Sequence, residues 1–256
     1  MESITWDETG ATLEYSRIAE PKGLALVFPG GGYRFISPRE RKPVADAFAQ
    51  AGWQPFVLTY STGENLGTTP LQEAAWAVRT IRSLDTVFLH LPLTVCGFSA
   101  GGHLAASLGV HYKDEQVFPD KKTQSQNRPD SLILGYPVIT AGEFRHDESF
   151  NRLARTAEER EFFSVENHVT PETPPAFLWH TAEDATVPVE NSLLFAEALK
   201  ASNVPFGLHV YPTGPHGMSL ATPEVADPEQ GRMPDPFIAT WFGLALTWLE
   251  ALRKYQ

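Results

Sequence analysis

Gly97-Phe98-Ser99-Ala100-Gly101 follows Leu93-Thr94-Val95-Cys96, a short apolar run with two β-branched residues. It precedes Gly102-His103-Leu104-Ala105-Ala106-Ser107-Leu108, which suits a helix. The stretch predicts a strand ending in a sharp turn that carries a serine and leads straight into a helix. A serine on such a turn crowds the surrounding backbone, so glycine two residues before and two after lets neighbouring chain pass. The turn lifts the hydroxyl above the sheet, and the N–H of Ala100 points at the same spot. A five-residue pattern with three fixed positions also arises by chance. The rest of the chain has to decide.

Working outward, apolar runs alternate with helical periodicity. Leu24 to Phe28 is continuously apolar and ends in Pro29 and three glycines, as befits a strand buried on both faces. Val44 to Ala51 has helical spacing and stops at Gly52, and Trp53 to Tyr60 is aromatic and β-branched. Leu71 to Leu84 places Leu71, Ala74, Ala75, Val78 and Ile81 on one helical face. Further strands are expected at Ser131 to Tyr136, Ala176 to His180 and Phe206 to Tyr211, with helices at Val189 to Ala201 and Phe237 to Leu252. Thr12 to Ile18 suits an antiparallel edge, and polar Lys113 to Arg128 a surface loop. This alternation predicts an α/β fold: a doubly wound, mostly parallel sheet with helices on both faces. Residues 1–256 are read as one domain, with a small irregular cap or loop insertion at 141–175.

Composition narrows the function. The chain has 256 residues, 42% of them hydrophobic, enough for one sizeable core. Lys+Arg 20 against Asp+Glu 31 gives a net charge of −11, with the acids scattered. That balance argues against nucleic acid or an anionic membrane surface as partner. The N-terminus shows no basic and then apolar leader, and no apolar run approaches the roughly 20 residues a membrane span needs. With a single cysteine, Cys96, a cytoplasmic location is the expectation.

A serine nucleophile needs a base to take its proton and an acid to orient that base. In a doubly wound sheet both belong in loops at the carboxyl ends of later strands. Asp184 follows one such strand in His180-Thr181-Ala182-Glu183-Asp184-Ala185-Thr186-Val187-Pro188, and His216 follows the last in Gly214-Pro215-His216-Gly217-Met218. Individually, Asp184 could cap the next helix and His216 could be an ordinary histidine. Jointly, Ser99, Asp184 and His216 have the order and placement of a catalytic triad. Glu183 is the rival acid, but Asp184 sits better ahead of the helix that Pro188 helps to start. Gly31 and Gly32, in Pro29-Gly30-Gly31-Gly32-Tyr33, are expected to join Ala100 as backbone donors to an oxyanion; Gly30 is the weaker third candidate. The loop matches neither phosphate-binding glycine pattern. Tyr33, Phe35, Phe162 and Phe163 are candidate walls of a short acyl pocket. Cys96 reads as core, and His103 is given no catalytic role. The histidine spacing and the lone cysteine offer no metal site.

Taken together, Pro-Gly-Gly-Gly-Tyr, Gly-Phe-Ser-Ala-Gly-Gly-His, Leu-Gly-Tyr-Pro-Val, His-Thr-Ala-Glu-Asp-Ala-Thr-Val-Pro and Gly-Pro-His-Gly-Met resemble α/β-hydrolase-fold carboxylesterases. The likeness is to the acetyl-esterase and acetyl-xylan-esterase branch of the hormone-sensitive-lipase-like group, and runs from about Leu24 to the C-terminus. It implies hydrolysis of short acyl esters, often acetyl groups, with no cofactor; the small-molecule substrate, whether an acetylated sugar, an antibiotic ester or a metabolite, is not given by the sequence. Many relatives carry histidine where this chain has Pro29. Two other readings share the residues: a serine peptidase of the prolyl-oligopeptidase kind, and a non-catalytic binding module on the same fold. The first usually brings a large extra domain, and the second is expected to have lost its nucleophile or histidine.

Overall fold

The computed structural model describes residues 2–253. Eight strands form one sheet in the order β1-β2-β4-β3-β5-β6-β7-β8. In chain order these are β1 Glu2–Thr5, β2 Thr12–Tyr15, β3 Leu24–Phe28, β4 Gln54–Thr59, β5 Leu93–Phe98, β6 Ser131–Gly135, β7 Ala176–Thr181 and β8 Phe206–Tyr211. From β4 to β8 all neighbours are parallel. β2 runs antiparallel to β4 and to β1. The α/β, mostly parallel, doubly wound architecture is therefore as the alternation implied. Among the described residues no helix is long and apolar enough to cross a membrane.

The strands alternate in whom they feed. Leu24, Leu26 and Phe28 join one buried cluster with the apolar faces of α2 (Thr69–Leu84), α3 (Ala100–His111) and α6 (Glu190–Ala201). Ala25 and Val27 join the other, with α1 (Lys42–Gln50) and α7 (Thr240–Leu252). Two cores, one on each face, are the reason these strands are apolar throughout rather than alternating. The carboxyl ends of β3, β5, β7 and β8 then share one edge, from which the functional loops project.

Three expectations shift. The antiparallel strand is not the edge, because Glu2–Thr5 pairs outside it. The last helix begins at Thr240 rather than Phe237, since the Asp235 carboxylate accepts the N–H groups of Phe237 and Ile238 and holds them in a turn. Residues 141–175 are less irregular than expected. They carry α4 (Asp147–Leu153) and α5 (Ala157–Phe162), the second opened by a capping box in which Thr156 and Glu159 exchange side-chain and backbone bonds. Thr156-Ala157-Glu158-Glu159 was the sequence signal for it.

Candidate active site

Ser99 stands at the end of β5 with φ 53° and ψ −118°, a conformation that L-residues rarely adopt. Its backbone is held on two sides: the N–H donates to Gly135 O at 3.0 Å, and the carbonyl accepts from His103 and Val138. The two flanking glycines are explained by contact. A Cβ on Gly97 would lie 2.2 Å from Gly101 O, and one on Gly101 would lie 2.1 Å from Phe28 O. Neither neighbour is a side chain that could swing away.

β7 and β8 deliver the partners. The Ser99 hydroxyl is 2.8 Å from His216 Nε2, and His216 Nδ1 is 2.6 Å from Asp184 Oδ2. The other carboxylate oxygen, Oδ1, accepts the N–H groups of Thr186 and Val187 at 3.0 and 2.9 Å. With Oδ2 as acceptor, the imidazole carries its proton on Nδ1 and turns the Nε2 lone pair towards the serine hydroxyl. Burial alone would raise the Asp184 carboxyl. Hydrogen bonds from His180 and His216, the His216 charge and the Val187 N–H outweigh it, holding the group well below the usual carboxylate range. Glu183 does not reach the histidine; its carboxylate accepts a long 3.4 Å bond from Gly214 N–H at the surface.

The glycine loop after β3 faces the serine turn. Gly30 N–H is committed, donating to Glu40 Oε2 at 2.7 Å. Among the described residues, the N–H groups of Gly31, Gly32 and Ala100 donate to no protein acceptor. Gly31 has φ +128°, and a Cβ there would meet Phe35 O at 2.0 Å. A free donor and a bare Cα at this position depend on glycine.

Ser99 and His216 open into a cavity of about 380 Å³ lined also by Gly31, Gly32, Phe35, Pro38, Glu40, Thr186 and a polar and charged rim of Arg34, Arg39, His146, Glu148, Asp227 and Arg232. Of the four expected pocket aromatics, Phe35 alone borders it. Tyr33, Phe162 and Phe163 are corrections. Tyr33 is fully buried and directs its hydroxyl to His103 Nδ1 at 2.8 Å. Phe163 is buried in the core, and Phe162 stacks on His111. The reason is His103: burial pushes its pKa down to about 4, so it accepts from Tyr33 and donates to Phe163 O at 2.9 Å. That neutral ring ties the glycine loop, the serine helix and the 141–175 segment together. Cys96 is buried, as expected.

Reading the sequence overlooked the cavity's polar groups. His146 caps α4 by accepting from Ser149, and burial lowers its pKa. Glu40 is a nearly fully buried carboxylate within a short 3₁₀ turn, Pro38–Glu40. The Ser-Pro-Arg-Glu run looks like ordinary surface, and only tertiary contacts reveal its position.

The BD-FAE family model matches residues 90–199, which include Ser99 and Asp184. The chain is 40% identical over 208 residues to endo-1,4-beta-xylanase B of Butyrivibrio fibrisolvens, covering 78% of this chain and 33% of that protein. It is 28% identical over 217 residues to an acetylxylan esterase of Xylanibacter ruminicola, covering 79% and 42%. The chain thus spans between about a third and two fifths of these curated relatives. The solved structure of an acetyl ester-xyloside bifunctional hydrolase from Caldicellulosiruptor lactoaceticus superposes with TM-score 0.81 at 35% identity, over 95% of this chain and 88% of that one. The chain belongs to the α/β-hydrolase esterase family. Its place in this family of hydrolases accounts for the serine turn, the strand order and the loops at the carboxyl edge of the sheet.

Proposed function

We propose that this α/β-hydrolase is a serine esterase that removes short acyl groups, acetyl above all, from the hydroxyls of a sugar. The observation that carries the reading is the continuous hydrogen-bonded chain Ser99–His216–Asp184 beside unengaged N–H groups. Ser99 Oγ attacks the ester carbonyl carbon while His216 Nε2 takes the hydroxyl proton. Asp184 keeps the ring in the required tautomer and stabilises the imidazolium. The carbonyl oxygen becomes an oxyanion that accepts from Gly31, Gly32 and Ala100. Collapse breaks the bond to the alcohol oxygen, which leaves with the proton from His216, and an acyl-serine remains. Water, deprotonated by His216, then repeats the cycle and releases the carboxylic acid and free Ser99.

The cavity walls support the substrate class. Phe35 and Pro38 are its apolar side chains, while Arg34, Arg39, His146, Glu148, Asp227 and Arg232 are polar or charged. A hydroxyl-rich alcohol suits such a rim. A long acyl chain does not, because each methylene that extends past Phe35 and Pro38 to the charged rim forgoes about 0.8 kcal/mol of burial. The relatives point the same way: one is an acetylxylan esterase, another an acetyl ester-xyloside bifunctional hydrolase. We treat residues 141–175 as an insertion within a single catalytic domain, bordering this cavity through His146 and Glu148.

Wild-type protein should release acetate from acetylated xylo-oligosaccharides and hydrolyse p-nitrophenyl acetate, while leaving an aminoacyl-nitroanilide intact. Cleavage of the anilide in preference to the esters would replace this reading with a peptidase.

A further inference from the structure

Glu40 is a carboxylate only 3% exposed, at the floor of the Ser99 cavity, and the steps above do not use it. Both its oxygens are engaged. Oε2 accepts Gly30 N–H at 2.7 Å, and Oε1 accepts the Tyr136 hydroxyl at 2.6 Å. Gly30 is wedged between the two functional loops: a Cβ there would lie 2.9 Å from Glu40 Oε2, 3.0 Å from Ser99 Cβ and 2.8 Å from Phe98 O.

Tyr136 carries the connection onward. It is fully buried, and its backbone has φ 37°, a strained value for a bulky residue. Its hydroxyl accepts Ser219 N–H at 2.9 Å, and its ring packs edge-on against His216 with centroids 5.0 Å apart. Ser219 returns to the same turn by donating its hydroxyl to Arg39 O at 2.8 Å, while Arg39 Nη1 donates to Gly217 O at 2.7 Å. One buried acceptor therefore joins the loop that presents Gly31 and Gly32 to the loop that presents His216.

We propose that Glu40 is a positioning residue that, with Tyr136, fixes the oxyanion donors of the glycine loop relative to the His216 loop. The idea rests on the esterase reading above. Glu40 touches no reacting atom. Its effect is geometric: donors aimed at an oxyanion lose much of their value when displaced by about an ångström, and each such donor is worth 10²- to 10³-fold in turnover. The oxyanion exists only in the transition state, so a slackened loop lowers kcat and leaves KM nearly in place.

The test uses Glu40→Gln, Glu40→Met and Tyr136→Phe, with wild type and Ser99→Ala as references. Functional sites are counted with a fluorophosphonate. In that reaction Ser99 Oγ bonds to phosphorus, fluoride leaves, and the serine proton passes to His216. Turnover of p-nitrophenyl acetate is expressed per titrated site, so an unfolded fraction does not lower it. Glutamine keeps one acceptor and should cost about tenfold in kcat per site; methionine keeps none and should cost about 100-fold, with KM within threefold for both. Tyr136→Phe leaves the Gly30 bond and should fall between wild type and Glu40→Met. It also carries the test if the Glu40 variants do not fold. The rate of fluorophosphonate labelling should drop in the same order. Wild-type kcat per site in Glu40→Gln and Tyr136→Phe, or a loss appearing in KM alone, would overturn the positioning role while leaving the esterase reading intact. An inactive wild type, or an active Ser99→Ala, would instead remove the esterase reading; the labelling order then still decides whether Glu40 sets the donors.

Discussion

Replacing Asp184 by asparagine alters one charge and one hydrogen-bonding direction, and the structure gives the size of the effect. Asp184 Oδ1 accepts two backbone N–H groups, from Thr186 and Val187, so an asparagine would keep its carbonyl oxygen there. Its NH₂ would then occupy the position of Oδ2, 2.6 Å from His216 Nδ1. Two donors would face each other unless the imidazole moved its proton to Nε2. In that tautomer the ring can no longer accept the Ser99 proton across the 2.8 Å contact. The imidazolium also loses its counter-charge. Together these amount to about 10⁴-fold in kcat. Glu183→Gln is the paired control, because it changes only a long surface bond to Gly214 N–H. It should stay within about twofold of wild type, in line with the small value of exposed polar contacts. Steady-state hydrolysis of p-nitrophenyl acetate, with folding checked by circular dichroism, measures both. An Asp184→Asn protein retaining a tenth of wild-type kcat, or the two variants ranking in the opposite order, would refute the tautomer argument.

Gly101→Ala puts a methyl 2.1 Å from Phe28 O and should destabilise by at least about 3 kcal/mol in urea unfolding. Gly243→Ala, on the exposed face of α7 with nothing within 4 Å, should instead stabilise by about 1 kcal/mol. The folded-state pKa of Asp184 is depressed, so its contribution is complete above the ordinary carboxylate value of about 4 and is lost as pH falls below it. Unfolding free energies from pH 7 down to pH 3 should therefore fall more steeply for wild type than for Asp184→Asn; parallel curves would contradict this. Across p-nitrophenyl esters of two to about twelve carbons, kcat/KM should peak at acetyl or propionyl, since Phe35 and Pro38 are the apolar side chains that line the cavity and give a long chain no extended trough. A maximum at about eight carbons or beyond would mark a different acyl site.

The sheet was legible because its strands are continuous apolar runs of the right length, and a parallel sheet covered on both faces demands that pattern. Ser99, Asp184 and His216 were legible because the fold puts them at loop positions next to strands that periodicity identifies. Their joint geometry follows from strand order. The glycine loop was readable as one that offers backbone N–H groups, yet which glycine was spent depended on Glu40, ten residues away and part of a turn with no distinctive pattern. The aromatic pocket failed for a related reason. Tyr33 and Phe163 sit in loops but satisfy a buried histidine, and a sequence gives no sign of which way a loop aromatic turns. The helices of 141–175 were short and charged, so their apolar faces, Phe150 and Leu153 in α4, were too sparse to register as periodic.

The central claim is that the Ser99 hydroxyl becomes acylated. Wild-type protein mixed with p-nitrophenyl acetate, quenched in acid within the first turnovers and digested should yield the Ser99 peptide heavier by one acetyl group. Ser99→Ala should show neither the modified peptide nor more than about a thousandth of the wild-type hydrolysis. Hydrolysis by wild type with the acetyl group on another residue, or a Ser99→Ala protein that keeps a tenth of the activity, would contradict the account.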